Sequence, residues 1–321
     1  MKEFRSNKAA AAILQFFRYR EVLLGIVIAT VGIVMTFVSP YFLTVANLRA
    51  LLVTTTLEGI ISIGMVMVLA AGGLDLSVGS VLAFAGVVAG LAMKSGLPIY
   101  ASVLLALLAS AAVGLVNGLI ISKLRFDPFI TTLGTMIMVK GLLLVMSNGR
   151  AVLNLPERFN YFYGQGTLLG FQYPVYYFLI IAAVMEFLLR KVVFFRYNYY
   201  VGNNEEAARM SGINVDLVKV TGYVIVAVLA GFSGILMAAR MGTASVTIGS
   251  MTNLNVLAAC VLGGASFSGG QGTVLGAVLG AFLLQLLINA LNIAGVGIYW
   301  QQVFTGAILL GAIALDKLRR R

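Results

Sequence analysis

Three ionisable side chains, Glu58, Asp75 and Lys140, stand within or beside long apolar stretches of a 321-residue chain. A lone charge at the centre of a bilayer costs about 2.5–3.5 kcal/mol on insertion scales, so each needs a partner, water or a route to the interface. The chemistry open to them is ion or proton relay, gating, or mutual neutralisation. Lys140 lies twelve residues beyond Pro128, about 18 Å up a helix. Glu58 opens an apolar run. The two are expected at similar depth, where they either pair or snorkel separately. Asp75, in Leu74-Asp75-Leu76-Ser77, either caps the helix that follows or belongs to a pathway or gate. Glu186 and Arg190, spaced i, i+4, predict a structural pair. The chain has no His and one Cys, Cys260. That composition removes disulfide frameworks and nearly excludes zinc and haem sites. No nucleophile–base pair and no cofactor loop is recognisable, so the reading is a non-enzyme without a cofactor of its own.

A polar island, Tyr200–Ile213 (YVGNNEEAARMSGI), interrupts the apolar pattern. Asn203 and Asn204 are N-cap types, and Glu206 stands three residues after Asn203, as in a capping box. Glu205 and Glu206 suit the positive end of a helix dipole. Ala207, Ala208, Arg209 and Met210 favour helix, and Gly212 permits a left-handed stop before Ile213. About two turns of helix are too few to stand alone. The island therefore reads either as a plain connector or as a helix that docks into something.

Two Gly-rich punctuations share a loose pattern, AGGLDLSVGS at 71–80 and LGGASFSGGQG at 262–272. Gly72, Gly73, Asp75 and Ser77 in the first, and Gly263, Gly264 and Ser268 in the second, are candidates for a pathway or gate. Broken backbone at membrane depth is tolerated where it faces a cavity. The string SGGQG resembles part of the signature of cassette ATPases, but the phosphate loop GxxxxGK[ST] is missing. A tight turn is the simpler reading.

These residues must be positioned by membrane helices. The chain is 60% hydrophobic and only 10% charged, against about 25% charged in soluble domains. Ten spans are read: Val22–Val38, Leu57–Ala71, Val78–Met93, Val103–Ser122, Phe129–Met146, Val175–Leu189, Val220–Ala239, Leu254–Gly264, Val274–Leu291 and Trp300–Leu315. All five prolines fall at or outside span ends, as proline's helix-breaking character requires. With ten spans, sixteen Lys and Arg fall on the side of the termini and island and five on the other, with Lys140 inside a span. The asymmetry places both termini and the island in the cytoplasm. The net charge of +11 therefore speaks of topology rather than of nucleic acid. The fold class is all-α integral membrane, with one domain over 1–321. Residues 1–21 form a cytoplasmic or interfacial N-terminal segment, in which Ala9–Phe17 lies on the membrane surface rather than serving as a signal peptide. Residues 190–219 form a cytoplasmic loop. The loop Ser147–Tyr173, the longest on the outer side, is either a docking surface or a connector.

The string Glu206-Ala207-Ala208, with Gly212 four residues on and Ile213 after it, resembles the EAA loop of bacterial ATP-binding cassette importer permeases. GNNEEAARMSGINV (202–215), GGLDLSVGS (72–80), LGGASFSGGQGTVLGAVLGA (262–281) and LNIAGVGIYWQQVFTGAILLGAIAL (291–315) are similar to strings of the ribose-type, simple-sugar (carbohydrate uptake 2) permeases. The resemblance spans about residues 45–316. It implies a coupling helix built from Asn203, Asn204, Glu205, Glu206, Ala207, Ala208, Arg209, Gly212 and Ile213 that inserts into a cytoplasmic ATPase subunit, where the ATP is used. It also implies a periplasmic sugar-binding protein, a second permease subunit (identical or paralogous), and a multi-pass place in the bacterial inner membrane. The implied function is a passage for a monosaccharide. The same resemblance leaves autoinducer-2, nucleosides and branched-chain amino acids as alternative cargoes. The titratable residues leave an ion-coupled secondary transporter open. Val193–Tyr200, VFFRYNYY, departs from the family's more polar, Gly-containing run, and Glu58 stands where a small or amide residue is expected.

Overall fold

The computed structural model describes residues 20–319. Expectations for residues 1–19, including the surface helix at Ala9–Phe17, and for Arg320 and Arg321 lie outside the described residues. Within them the chain is built almost wholly of helices: α1 (Arg20–Val38), α2 (Val45–Ala70), α3 (Val78–Lys94), α4 (Ile99–Lys123), α5 (Pro128–Ser147), α6 (Glu157–Asn160), α7 (Tyr173–Lys191), α8 (Val193–Asn203), α9 (Glu205–Met210), α10 (Val215–Met241), α11 (Thr252–Leu262), α12 (Val274–Ile293) and α13 (Ile298–Arg319). A π turn (Tyr161–Gln165) and a two-stranded hairpin, β1 (Thr167–Leu168) and β2 (Phe171–Gln172), lie in the long loop between α5 and α7.

Each of the ten expected stretches overlaps a helix among the described residues. Seven helices among these residues (α1, α2, α4, α5, α7, α10 and α12) are long and apolar enough to cross a membrane, and α3 and α11 are shorter apolar helices. This is a multi-pass membrane architecture. The second helix starts at Val45 rather than near Leu57. Thr44 caps it by accepting from the Asn47 amide at 3.3 Å. Asn47 and Asn289 exchange side-chain hydrogen bonds of 3.1 and 2.7 Å, so polar residues that interrupt the hydropathy still sit on a regular helix.

α2, α3 and α10 form the interior, with Ile60, Ile63, Met65, Met67, Val78, Val226 and Ile235 fully or almost fully shielded. Close approach is bought with small residues. Gly114 and Gly118, four apart on α4, lie against the backbone of Val220, Tyr223 and Val224 on α10, where a Cβ would overlap it. Small residues at this spacing let membrane helices meet at backbone distance, where van der Waals contact replaces the hydrophobic effect. Ser233 on α10 donates to the Leu57 carbonyl at 2.6 Å, a polar tie between α10 and α2.

The ends of the bundle differ. One end gathers the close of α2, the close of α4, the α8–α9 segment, the start of α10 and the Gly-rich turn 263–272. At the other, the loop between α5 and α7 is pinned to the exit of α10: Val152 and Ala244 exchange backbone bonds of 2.9 Å, and Leu155 donates to Gly242.

Candidate functional site

The island folds as a short helix on a hard stop. Asn204, not Asn203, is the N-cap of α9, accepting from the Ala207 amide at 2.9 Å. Asn203 instead ends α8, and its side-chain oxygen lies against Gly270. The expected capping box between Asn203 and Glu206 does not form: the cap moves one residue on, and Ala207 at the third helical position has no side-chain acceptor to return the bond. Gly212 adopts φ +82°. Its amide donates to Arg209, and that of Ile213 to Ala208, a left-handed stop that a side chain would strain. Ala208 is buried among Ala71, Val201, Val215 and Val218. The outward face is Glu206, Ala207, Met210 and Ser211.

A charge network fixes this helix to the bundle. Glu205 accepts from Lys219 at 2.6 Å and from Arg209 at 3.2 Å. Arg209 also reaches Asp216 at 2.8 Å, which pairs with Lys123 at the end of α4 at 3.3 Å. Partial burial works to raise the Glu205 carboxyl, but the Lys219 and Arg209 contacts outweigh it and hold it below the usual carboxylate range. The Arg209 guanidinium is held above its ordinary value, chiefly by its hydrogen bond to Asp216.

Behind α9 the three polar motifs meet. The Gly270 amide donates to the Ala70 carbonyl at 2.9 Å, joining the two Gly-rich segments. Gly202, just before the island's cap, packs on both: a Cβ there would overlap the Ala70 carbonyl and the Gly270 amide. Gly269 and Gly270 take φ of +84° and +75°, so the tight turn expected of SGGQG is present. Tyr199 donates to the Gly272 carbonyl at 2.9 Å. The aromatic run Val193–Tyr200 is helical, belongs to α8, and carries the contact. Gly72 and Gly73 border a small recess with Asn198, Lys219 and Tyr223. Gly263 packs on Gly276 of α12, Gly264 takes φ +95°, and the Ser268 amide donates to Ser266 Oγ at 3.3 Å.

Asp75 is fully buried. Its Oδ1 accepts from the amide and hydroxyl of Ser77 at 2.7 and 2.6 Å. Asn117 of α4 donates to Ser77 Oγ at 3.0 Å, and Thr135 of α5 donates to Asn117 Oδ1 at 2.6 Å. Ser77 is the N-cap of α3. Asp75 therefore holds the cap residue rather than the first turn, and this polar chain ties α3 to α4 and α5.

Glu58 and Lys140 do not meet. Glu58 lies in the middle of α2, not at its start, and accepts from Asn255 of α11 at 2.9 Å and from Gln285 of α12 at 2.6 Å. Lys140 donates to the Val246 carbonyl. Depth alone leaves pairing and separate snorkelling open; here two amides from distant helices serve the Glu58 carboxyl, and Lys140 finds a backbone carbonyl. The Glu186–Arg190 pair forms as its spacing predicts. Among the described residues no three His, Cys, Asp or Glu side chains cluster as metal ligands do.

Known proteins bear on this geometry. Residues 47–313 match the family described as branched-chain amino acid transport system / permease component. The L-arabinose ABC transporter permease protein AraH of Azospirillum brasilense is 39% identical over 281 residues, 88% of this chain and 83% of its own. The ribose import permease protein RbsC of Escherichia coli (strain K12) is 37% identical over 285 residues, 88% of this chain and 89% of its own. The galactose/methyl galactoside import permease protein MglC of the same strain is 36% identical over 304 residues, covering 89% and 90%. No solved structure matches the chain. Family coverage of most of the chain, and full-length relatives well above 30% identity, place it: the chain belongs to the branched-chain amino acid transport system / permease component family, a family of transport permeases rather than of enzymes.

Proposed function

We propose that this chain is the membrane-spanning permease of an ATP-binding cassette importer and forms the passage for a monosaccharide. The single observation that carries the coupling part is the seat of the island. α9 presents Met210 outward while Gly202, at its root, rests on the close of α2 and on the Gly-rich turn 263–272. A push on α9 from an ATPase subunit therefore reaches the end of α2 and the turn between α11 and α12 through backbone contacts. The cargo class follows from the arabinose, ribose and galactose permeases that this chain resembles.

The reading includes ten crossings, with α3, α11 and α13 joining the seven long helices, and both termini in the cytoplasm of a bacterial inner membrane. The positive charges at the island end support that orientation. Two permease chains, identical or paralogous, a cytoplasmic ATPase and an external sugar-binding protein complete the importer, with the binding protein docking on the outer loops, including 147–173. ATP is bound and used by the separate subunit. Asn203, Glu206 and Gly212 serve coupling; Gly72, Gly73, Asp75, Ser77, Gly263, Gly264 and Ser268 serve or support the gate.

The test is reconstitution of the permease with its ATPase and binding protein in proteoliposomes. ATP-dependent uptake of a pentose or hexose, absent when the ATPase is omitted, is the expected result. Uptake of leucine, a nucleoside or autoinducer-2 in place of sugar moves the cargo to that class. ATP hydrolysis by the permease alone, or uptake driven by a proton gradient without the ATPase, sinks the proposal. Thiol labels at Asn203 should react only from the cytoplasmic side, and labels at Ser95 and Asn160 only from outside.

A further inference from the structure

A cavity of about 260 Å³ lies between α3, α5 and the segment leading into α11, lined by Gly79, Ser80, Lys140, Gly249, Ser250 and Asn253 among others. It is open on one side, where Ile137 of α5 and Ser250 are exposed. Its depth follows from α11. That helix has 11 residues and rises about 16 Å from the Gly-rich turn that contacts Ala70 and Gly202. The cavity therefore sits about halfway through a hydrocarbon layer of roughly 30 Å.

At this depth the backbone of residues 245–251 is neither helix nor strand. Thr247 and Ser250 are exposed there; the Ser245 and Thr247 hydroxyls bond at 3.0 Å and Ser250 donates to the Thr247 carbonyl at 2.9 Å. Irregular polar backbone survives within a membrane only against protein or a water-filled space. The Asn253 side-chain oxygen is shielded and has no hydrogen-bond partner. The Lys140 ammonium reaches the Val246 carbonyl and has two further protons to donate. The starts of the two short apolar helices meet at the same place, Gly79 of α3 lying against Gly249 and the Asn253 amide of α11. Helix starts carry partial positive charge, and discontinuous helices that meet at mid-depth line transporter sites.

We propose that this cavity is a wall of the translocation passage: a mainly apolar constriction carrying one positive charge, which lets a neutral polyhydroxylated molecule pass, with Lys140 donating to its hydroxyl oxygens, and turns cations away. The proposal rests on the permease reading. An opening that holds the Lys140 ammonium and the exposed Ser250 is not built for acyl chains, so the exposed side of α5 around Ile137 faces the second permease chain across the passage. An importer that opens a route for a sugar must not leak protons or sodium, and a fixed positive charge beside helix starts is a physical means to that end.

The experiment uses the assembled importer in proteoliposomes, on a background in which Cys260, the sole and buried cysteine, is replaced by alanine. Single cysteines are placed at Ser250, at Thr247 and, as a lipid-facing control, at exposed Leu104 on α4. Membrane-impermeant thiosulfonates of either charge are the probes. The expected result is reaction at Ser250→Cys and Thr247→Cys but not at Leu104→Cys, with the anionic reagent faster than the cationic by about tenfold or more. Lys140→Met should level that ratio while Lys140→Arg keeps it, a response that a purely structural lysine would not give. Modification of Ser250→Cys should abolish uptake. Failure of both cysteines to react from water, or equal rates for the two reagents beside an intact Lys140, overturns the inference. Reactivity is read whether or not sugar enters, so loss of ATP-driven uptake in the unmodified importer counts against the permease reading alone.

Discussion

The amide of Gly270 donates to the carbonyl of Ala70 at 2.9 Å, and Gly202 packs over that bond with no room for a Cβ. Three sequence motifs thus share one backbone junction. The polar island, the close of α2 and the SGGQG turn cannot shift independently without breaking it. Because the junction is made of backbone, its geometry depends on glycine being present rather than on any side-chain chemistry.

Gly202→Val should therefore separate hydrolysis from transport. The branched side chain must displace the Ala70 carbonyl or the Gly270 amide, each a buried group whose lost bond costs about 1–3 kcal/mol. Expected is a complex that assembles and hydrolyses ATP but takes up sugar at less than about a tenth of the normal rate, a barrier change of about 1.4 kcal/mol. Side-by-side ATPase and uptake rates decide it. Equal uptake by wild type and variant would show that the junction is mere packing.

Met210 is 84% exposed on a helix of six residues, the most prominent apolar side chain of the island. Such a knob fits a docked helix. A cysteine at Met210 or Ser211 should cross-link to the ATPase subunit, whereas one at buried Ala208 should not. Met210→Glu should weaken assembly by about tenfold, as expected for burying a charge at the centre of a contact. Cross-linking at Ala208 with none at Met210 would invert the assigned face.

Acid should loosen the island. The folded Glu205 carboxyl lies below its ordinary value because of Lys219 and Arg209, and an unfolded Glu titrates near about 4.3. A depressed folded value means that the stabilisation is fully present above the unfolded value and is lost as pH falls through the folded one. A spin label at Ser211 should keep constant mobility from neutral pH to about pH 5 and gain mobility below about pH 4. Glu205→Gln should be mobile at every pH. A label whose mobility ignores both acid and Glu205→Gln would mean that the charge network does not anchor α9.

How much of this was legible beforehand depends on how local each signal is. The apolar runs, the Gly212 stop and the Glu186–Arg190 pair are written within a few neighbouring residues, and all take the expected form. The start of α2 was not readable from hydropathy, because Asn47, Arg49 and three threonines interrupt the run. Asn47 bonds Asn289, and Thr54 and Thr56 bond the helix's own carbonyls, while the buried Thr55 hydroxyl has no partner. The choice of Asn204 over Asn203 as cap could not be made from two adjacent residues of the same type; Gly270 decides it by occupying the side of Asn203. The Glu58 partners Asn255 and Gln285 lie 197 and 227 residues away, and no local pattern in the chain announces them.

Glu58 ties α2 to α11 and α12, so its removal should be felt in stability. Glu58→Leu leaves the Asn255 and Gln285 amides without their acceptor, at about 1–3 kcal/mol for each group left unsatisfied. Glu58→Gln keeps an acceptor oxygen and should recover part of the loss. Thermal unfolding in detergent measures the order wild type, Gln, Leu. If the leucine variant melts with the wild type, the three helices do not depend on this link.

Selectivity should reside outside this chain. The described spans are mostly apolar, and the polar wall beside Lys140 supplies few groups: Ser80, Ser250 and Asn253 with the ammonium. A binding site for a hydroxylated molecule needs many convergent donors and acceptors, since each polar group left unpaired on burial costs affinity. A passage must also release what it admits, so tight binding at mid-depth would slow transport. The purified permease should therefore bind pentoses and hexoses no more tightly than about millimolar, roughly −4 kcal/mol, and the external binding protein should set the choice among sugars. Calorimetry on the permease alone, with ribose, arabinose and galactose as titrants, measures this. A micromolar constant for one of them, abolished by Asn253→Leu, would place a selective site inside the membrane and move specificity from the binding protein to the spans.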